Sequence, residues 1–420
     1  MIMGRALHIL GSIGLLLVNG LILIVAAGVL FMVPDIPGCK RFDRYCDYPD
    51  KDALLSGEAD EVMLIGDGII GGKKYTAVAM ERCGFFASGL AVLIYDEDGK
   101  LVDKSRDQGD DPRFRMEWMR HISLYSPEDY RLLAEGKLPK GERFVMATEQ
   151  AEGRIVVVDK VGIIWEWNPT NDVGIATNHY SSFTNPDECK GRDDGRTILM
   201  TASGGAFAAI DVDTKRAKCY GDVGGNPHSV ELLPDGRYVV ASSNGNKLTL
   251  VDVSEHPFEP ARQPKKEFVF EDAHGVHWDS DRKVLWAIGA KEIAKFEYDG
   301  PAMELRKLKG FPLSDVGLEW GHDLIEDTRC GKCGIVGAGL LAFTAHGGCG
   351  WFDPEKETYV NCSTNGPSIK SQSFDDHDRM KMVPKERWWT DEITVEDRCS
   401  SDGYIVPGAR FYKARFLIRR

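Results

Sequence analysis

The residues best suited to chemistry in this sequence recur at one position of a repeated pattern. His228, His274 and His322 occupy that position in three successive copies, and Lys370 occupies it in a fourth, at spacings of 46, 48 and 48 residues. Imidazoles bind transition metals or transfer protons near neutral pH, and an ammonium group neutralises an anion. If the fold brings the four side chains together, they form a site that no single copy contains.

Each copy has the sequence of a small antiparallel sheet. In the copy that begins at His228, strand-like runs at 230–233, 238–243 and 247–252 are separated by Pro-Asp-Gly and Asn-Gly turns. This alternation predicts a meander of antiparallel strands. A repeat of about 40–50 residues with four strands is typical of a β-propeller blade. Because the innermost strand of each blade lines a central channel, we expect the four side chains to meet at one channel end.

The strand pattern predicts an all-β protein with a single β-propeller of seven blades. Inner strands are expected at seven places, near residues 62, 121, 182, 228, 274, 322 and 370. Six blades are an alternative, because the first copy is incomplete. The strand-like tail at 404–406 and 411–416 would finish the last blade or complete the first by pairing across the closure. The propeller would then comprise residues 61–420, after a polar connector at 34–60.

An apolar stretch near the amino terminus predicts a membrane anchor. Residues 9–33 are almost entirely apolar and long enough to span a bilayer. We interpret residues 1–33 as an uncleaved transmembrane signal-anchor, with 25–27 as an alternative processing site. Lys40 and Arg41 favour a cytoplasmic propeller, whereas the ten cysteines favour export. The resulting expectation is a single-pass membrane protein with its propeller on the lumenal or extracellular side.

The cysteines predict disulfide bonds. We expect one bond between Cys39 and Cys46 and another between Cys189 and Cys219. At least one further bond is expected within a set of four: Cys330, Cys333, Cys349 and Cys362. A zinc site made by the same four thiolates is the alternative. Asn361, in Asn-Cys-Ser, is a candidate glycosylation site.

Charge and motif content narrow the function classes. The formal net charge is −13 and no block of Lys or Arg occurs, which disfavours a nucleic-acid partner. The sequence contains no Gly-x-Ser-x-Gly, no His-Glu-x-x-His and no dinucleotide-binding glycine pattern. A cationic channel mouth on an acidic protein favours an anionic partner, either an anionic glycan or a small anionic ligand.

Three chemistries suit the repeated residues. His228, His274 and His322 could hold a divalent metal, with Asp323 or Asp272 as an oxygen ligand. In the second, these histidines and Lys370 are catalytic: one imidazole is a general acid or base while the ammonium neutralises a substrate carboxylate. In the third, the same residues bind an anion and catalyse no reaction.

Three further residues are candidates for contacts to a substrate. They are His121, His277 and Asp323. Sugar acids suit the expected charge of the site, and some carbohydrate-cleaving propellers have His-centred sites that abstract the proton next to a uronate carboxylate. That comparison is an analogy between folds.

Several phrases of the sequence occur together in one known group of proteins. They include Ala147-Thr148-Glu149-Gln150, Asn226-Pro227-His228-Ser229, Gly321-His322-Asp323-Leu324 and Trp388-Trp389-Thr390-Asp391. Over roughly residues 144–393 the chain resembles an uncharacterised family of secreted bacterial β-propellers, a domain of unknown function. The resemblance implies the propeller fold and export, and it implies no reaction.

Two functional hypotheses follow. The first is a membrane-anchored, exported propeller that acts on or binds an acidic carbohydrate, as a uronate lyase or a related carbohydrate-active enzyme. The alternative is a non-catalytic propeller that binds a protein or a glycan.

Overall fold

The computed structural model describes residues 62–70, 73–83, 88–104, 132–133, 135–159, 162–329, 339–375, 378–396 and 401–420. The chain divides into two compact units, Met1–Arg131 and Leu132–Arg420. In the first unit one antiparallel sheet is described, with its strands in sequence order. Its strands are β1 (Val62–Ile70), β2 (Lys73–Cys83), β3 (Ser88–Asp96) and β4 (Leu101–Lys104).

The second unit contains six antiparallel four-stranded sheets, the blades of a propeller. Blade 1 contains β28 (Phe411–Ile418), β5 (Arg143–Glu149), β6 (Arg154–Asp159) and β7 (Gly162–Trp167). Blade 2 contains β8 (Pro186–Arg192), β9 (Thr197–Ala202), β10 (Ala206–Asp211) and β11 (Arg216–Asp222). Blade 3 contains β12 (Pro227–Leu232), β13 (Tyr238–Ser242), β14 (Lys247–Val251) and β15 (Lys265–Val269).

The remaining blades follow the same order of strands. Blade 4 contains β16 (Gly275–Asp279), β17 (Val284–Ile288), β18 (Glu292–Asp299) and β19 (Glu304–Pro312). Blade 5 contains β20 (Glu319–Glu326), β21 (Leu341–His346), β22 (Gly348–Asp353) and β23 (Thr358–Ser363). Blade 6 contains β24 (Ser371–Phe374), β25 (Arg379–Met382), β26 (Glu392–Glu396) and β27 (Ser401–Ile405). Among the described residues, three 3-10 helices lie in connections: Pro169–Asn171, Thr177–Phe183 and Leu313–Val316.

The carboxyl-terminal strand closes the propeller. β28 pairs antiparallel with β5, from Phe411 opposite Glu149 to Ile418 opposite Arg143. The first strand of each blade contacts the first strands of its neighbours, in the cycle β28, β8, β12, β16, β20, β24 and back to β28. These six strands are therefore the inner strands. Closure of the cycle pairs a sheet edge that would otherwise be open.

The apolar core lies between neighbouring blades. Val239 of blade 3 is in one buried cluster with Leu285 of blade 4. Across the closure, Phe416 of β28 is in a cluster with Met380 of blade 6. Successive side chains of a strand point to opposite faces, so each blade packs on both neighbours. This packing fixes the inner strands around the channel.

The propeller and its six-bladed alternative are confirmed, and the prediction of seven blades is wrong. The strand-like sequence near residue 62 does form a sheet, but that sheet belongs to the other unit. Residue 121 lies outside the described residues, and β28 is the inner strand of blade 1. The tail has both of its expected roles: residues 404–405 lie in β27, which finishes the last blade, and β28 completes the first.

The predicted membrane anchor is also corrected. Within the described ranges, no helix has the length and apolar character needed to cross a bilayer. Residues 1–33 and the connector at 34–60 lie outside those ranges. The structure thus does not support a single-pass membrane protein with a lumenal or extracellular propeller.

The expected disulfides are not found among the described cysteines. Cys189, Cys219, Cys349 and Cys362 are all free thiols. Cys189 lies on the inner strand of blade 2 and Cys219 on its outermost strand, with two strands between them. Three strand spacings of about 4.8 Å exceed the reach of a disulfide. The remaining predicted partners, at positions 39, 46, 330 and 333, lie outside the described residues.

Candidate functional site

The inner strands of four blades are entered through the same backbone conformation. Asn185, Asn226, Asp272 and Trp320 have φ angles of 51°, 61°, 48° and 56°. Each stands two positions before a residue at the end of the channel. Asn and Asp adopt this left-handed region more readily than other non-glycine residues, which explains three of the four positions. The repeated conformation places equivalent side chains at equivalent points of successive blades.

Six residues, one from each blade, meet at this end of the channel, and we call them the polar ring. The polar ring consists of Asp187, His228, His274, His322, Lys370 and Tyr412. The structure therefore brings together the four residues that the repeat predicted and adds one from each of the two blades between Lys370 and His228.

Contacts between neighbours link the polar ring. The imidazoles of His228 and His274 are stacked with centroids 4.4 Å apart, and those of His274 and His322 are 5.2 Å apart. Lys370 Nζ lies 3.3 Å from His322 Nε2. The same ammonium lies 5.9 Å from the centroid of the Tyr412 phenol. Tyr412 Oη lies 3.3 Å from His228 Nδ1, so the contacts form a closed loop.

Asp187 is buried beside this loop and holds a proton at neutral pH. Its carboxyl group accepts hydrogen bonds from Ser203 Oγ at 2.6 Å and from Gln150 Nε2 at 3.1 Å. Its Oδ2 lies 4.0 Å from His228 Nδ1. Burial raises the pKa of Asp187 to about 8. The contact with His228 is therefore between two uncharged groups at pH 7.

Burial also shifts the pKa of four other residues of the polar ring. It lowers the pKa of His228 and of His322 well below the usual value, with help from neighbouring imidazoles and cations. Burial, and then the positive charge of Lys413, lowers the pKa of Lys370 to about 8. Burial raises the pKa of Tyr412 well above its usual value. At pH 7 the ammonium of Lys370 thus lies among the neutral side chains of His228, His322 and Tyr412.

His274 has the geometry of a general base. Its Nδ1 lies 2.9 Å from the backbone carbonyl oxygen of Asp272 and 3.3 Å from Asp272 Oδ2. Both partners are acceptors, so we assign the proton to Nδ1, which leaves Nε2 with a free lone pair. The carboxylate of Asp272 would stabilise the imidazolium that forms when Nε2 takes a proton.

A buried ion cluster lies next to the polar ring. Arg415 Nη2 lies 2.6 Å from Asp323 Oδ1 and 3.0 Å from Glu188 Oε1. Lys413 Nζ lies 3.4 Å from Asp323 and 3.5 Å from Glu188. Asp323, a predicted substrate contact, is 1% exposed and has its charge satisfied here. We therefore place it in the scaffold beneath the ring rather than among groups that would touch a ligand.

Lys370 differs from the cations of that cluster. Lys413 and Arg415 each have two carboxylates as partners. In the part of the chain that the structure describes, no carboxylate lies within ion-pair distance of Lys370 Nζ, whose near contact is His322. This ammonium is nevertheless largely buried, as its lowered pKa reflects.

The described candidates that remain, His277 and Asn361, do not belong to the polar ring. His277 lies on β16, three residues and roughly 10 Å beyond His274, which immediately precedes that strand. Its Nε2 is 4.0 Å from Glu326, and burial lowers its pKa to about 4. His121 lies outside the described residues. Asn361 is exposed on the outermost strand of blade 5, where its glycosylation stays a prediction.

The geometry does not support the predicted metal centre. No group of three or more His, Cys, Asp and Glu side chains within the described ranges is arranged to hold a metal ion. His228 and His274 are stacked face to face, and stacked imidazoles do not direct their nitrogen lone pairs at one point. His228 Nε2 is also 3.0 Å from Asn226 Nδ2.

Sequence reasoning missed Asp187 and Tyr412. Their spacings to the nearest ring residues are 41 and 42 rather than 46 to 48, and neither residue is a His or a Lys. One signal was present: Pro186-Asp187 and Pro227-His228 both place a proline immediately before the ring residue.

Comparisons with known proteins give a family and distant structural likenesses. A model for a family of unknown function, DUF6528, matches residues 135–420. This match bears out the expected uncharacterised family and says nothing of export or of a bacterial source. No curated protein matches the chain.

Similar solved structures share 12–14% sequence identity with it. A protein of unknown function from Bacteroides caccae has a TM-score of 0.45, 12% identity and coverage of 66% of this chain and 98% of its own. A catalytically inactive virginiamycin B lyase from Staphylococcus aureus, solved with quinupristin, has a TM-score of 0.38, 14% identity and coverage of 82% and 94%. Hydrazine synthase from Kuenenia stuttgartiensis has a TM-score of 0.37, 14% identity and coverage of 53% and 66%. We infer no function from these likenesses.

Proposed function

Because the chain belongs to the DUF6528 family, whose function is unknown, we propose a function from the polar ring itself: it binds the carboxylate of an acidic carbohydrate and cleaves the chain by β-elimination, as a uronate lyase does. The observation that carries the proposal is the ammonium of Lys370, which is largely buried and has no carboxylate partner among the described residues. A buried charge without a counter-ion is costly. A ligand carboxylate would supply that counter-ion.

The composition of the ring favours a sugar acid over a more highly charged anion. A single ammonium matches a single carboxylate, whereas phosphate groups are bound by several cations or by Arg forks. His228 and Tyr412 are neutral at pH 7 and can exchange hydrogen bonds with hydroxyl groups. A uronate presents this combination of one carboxylate and several hydroxyls.

The elimination uses two further residues. His274 Nε2 takes the proton from the carbon next to the carboxylate, and the electron pair of that C–H bond becomes a carbon–carbon double bond. The glycosidic C–O bond breaks, and the leaving oxygen takes its proton from Tyr412, whose high pKa keeps it protonated until then. Lys370 stabilises the negative charge that develops on the carboxylate. Solvent then returns the proton to Tyr412 and removes the one on His274.

The test compares Lys370→Met with a matched control, Lys266→Met. Lys266 lies on the outermost strand of blade 3 and pairs with Glu304, away from the inner strands. We expect galacturonate oligomers to bind the wild-type protein and Lys266→Met alike, and to bind Lys370→Met at least about tenfold more weakly. Unsaturated products that absorb in the ultraviolet should form with the wild type and be lost in His274→Ala.

One result would contradict the anion site, and another would contradict only the elimination. Equal affinity of the wild type and Lys370→Met for the oligomers would remove the anion site. Binding that depends on Lys370 but yields no unsaturated product would remove the elimination and leave the non-catalytic alternative, a propeller that binds an acidic glycan.

A further inference from the structure

Trp320 combines two features that are unusual for a tryptophan. Its side chain is 46% exposed, and its backbone has a φ of 56°. The left-handed region is unfavourable for a bulky side chain, and residues held there against their preference are concentrated at functional sites.

The equivalent positions of other blades show what the fold itself requires. Asn185, Asn226 and Asp272 stand two residues before Asp187, His228 and His274, as Trp320 stands before His322. All four have positive φ. The three polar residues suit this conformation, and only the fourth does not. The backbone at this position therefore does not account for a tryptophan.

Packing does not account for it either. The indole is close to half exposed, and its Nε1 donates no hydrogen bond to any residue that the structure describes. Trp388, which is 45% exposed, is different: its Nε1 donates to Gln150 Oε1 at 3.1 Å, and its rings lie 5.2 Å from those of Trp389.

Contacts connect Trp320 to the polar ring. Its backbone N–H donates to the carbonyl oxygen of Ala290 at 2.6 Å, which anchors the strained residue between blades 4 and 5. Its indole lies 6.5 Å from the imidazole of His346, centroid to centroid. The His346 imidazole lies 4.8 Å from that of His322, which contacts Lys370. One residue, His346, thus stands between the indole and the polar ring, and two, His346 and His322, stand between the indole and Lys370.

We propose that Trp320 is a positioning residue that stacks against the sugar ring whose carboxylate Lys370 binds. This inference rests on the proposed function and adds recognition of the pyranose ring itself, which the contact between Lys370 and the carboxylate does not provide. The apolar C–H face of a pyranose packs on an indole, and the free indole N–H is available to a hydroxyl. The strain at residue 320 is then a local cost that ligand contact offsets.

The experiment uses the full chain with Trp320→Asn, which restores the residue type found at the equivalent positions. The two probes are a galacturonate oligomer and galactarate, an open-chain sugar acid that has carboxylates but no pyranose face. We expect Trp320→Asn to bind the oligomer about tenfold more weakly, to bind galactarate with unchanged affinity, and to have a melting temperature equal to or above that of the wild type. Trp320→Phe should recover part of the affinity.

The matched control is Phe258→Asn, which replaces an exposed aromatic residue in the connection between β14 and β15. It should leave both affinities unchanged. Three outcomes would overturn the stacking role while leaving the anion site intact: no loss of affinity in Trp320→Asn, an equal loss for both probes, or a clearly lower melting temperature. Failure of the wild type to bind either probe would overturn the proposed function and the stacking role together.

Discussion

Burial gives the polar ring a charge that depends steeply on pH. At pH 7 Asp187 is protonated and Lys370 is charged, and both have a pKa of about 8. As pH rises through that value, the carboxyl group gains a negative charge and the ammonium loses its positive one. The sum of these two charges changes from positive to negative.

This reversal predicts how anion binding depends on pH. Binding of a galacturonate oligomer should be constant below the shared pKa and should weaken above about pH 8, approaching a hundredfold per pH unit because two protons are lost. Asp187→Asn removes one of the two titrations, so its affinity should fall only about tenfold per pH unit. Titration calorimetry across this range measures both slopes, and identical slopes would exclude Asp187 from the ring's electrostatics.

Asp187 also predicts a pH dependence of folding stability. Its folded pKa is raised, so between the unfolded pKa and about 8 the folded state binds the extra proton. Stability from this group is therefore present at low pH and is lost as pH rises toward 8. Lys370 loses its proton in the folded state only as pH approaches 8, and this contribution is present in both the wild type and Asp187→Asn.

Urea unfolding at several pH values between about 6 and about 8 tests this directly. The free energy of unfolding of Asp187→Asn should fall less over the window than that of the wild type. A parallel decline in the two proteins would show that Asp187 does not bind the extra proton in the folded state.

At the scale of the element, β28 does more than pair with β5. It contributes Tyr412 to the polar ring and Lys413 and Arg415 to the ion cluster beneath it. Arg415 is 1% exposed and contacts carboxylates from blades 2 and 5. One strand thus holds three separate blades in position at the channel.

Loss of that arginine should be strongly destabilising. Arg415→Met leaves buried Asp323 with Lys413 as its cation and buried Glu188 with Lys413 and the more distant Lys190, which should cost about 3–5 kcal/mol of unfolding free energy. Arg306→Met is the control, since Arg306 is exposed on β19 and its pair with Glu297 is worth about 0–1 kcal/mol. Denaturant midpoints of the two variants measure the difference. Similar midpoints would mean that the cluster does not hold the blades.

The inner strands also show how far the sequence predicts the site. The positions of His228, His274, His322 and Lys370 followed from spacing, because each residue lies near the start of the inner strand of its blade. The position of Tyr412 did not follow from spacing, because its strand, β28, pairs with β5, which lies more than 260 residues earlier in the chain. Periodicity identifies a strand, whereas its partner depends on long-range packing. The charge states of the polar-ring residues could not be predicted from the sequence either, because they depend on burial in the folded protein.

At the scale of the whole molecule, the blade count failed for a related reason. Alternating apolar residues near residue 62 correctly indicated strands, but such a pattern does not show which sheet the strands join. These strands form a sheet of the unit Met1–Arg131. All six blades lie in Leu132–Arg420, the range that the family model also covers almost completely. The closing strand β28 supplies the inner strand of blade 1, which the sequence had placed near residue 121.

Two shortened chains test this organisation. A chain of residues 132–420 retains every blade, so it should unfold cooperatively at the denaturant midpoint of the propeller in the full chain. A chain that ends at residue 410 lacks β28, leaves β5 with an unpaired edge and loses Arg415, so it should not fold cooperatively. Circular dichroism and limited proteolysis distinguish the two. A folded second chain would show that closure is dispensable.

The position of β28 also makes completion of the polar ring depend on the strand of the propeller that is synthesised last. The strand that supplies Tyr412 follows all strands of blades 2 to 6 in the chain. A nascent chain can form the meanders of blades 2 to 6 as they emerge, but its channel end lacks a phenol and two cations until residues 411–418 have been made. A product shortened by a stop before residue 411 therefore lacks part of the polar ring, and its unpaired edge marks it for degradation or aggregation.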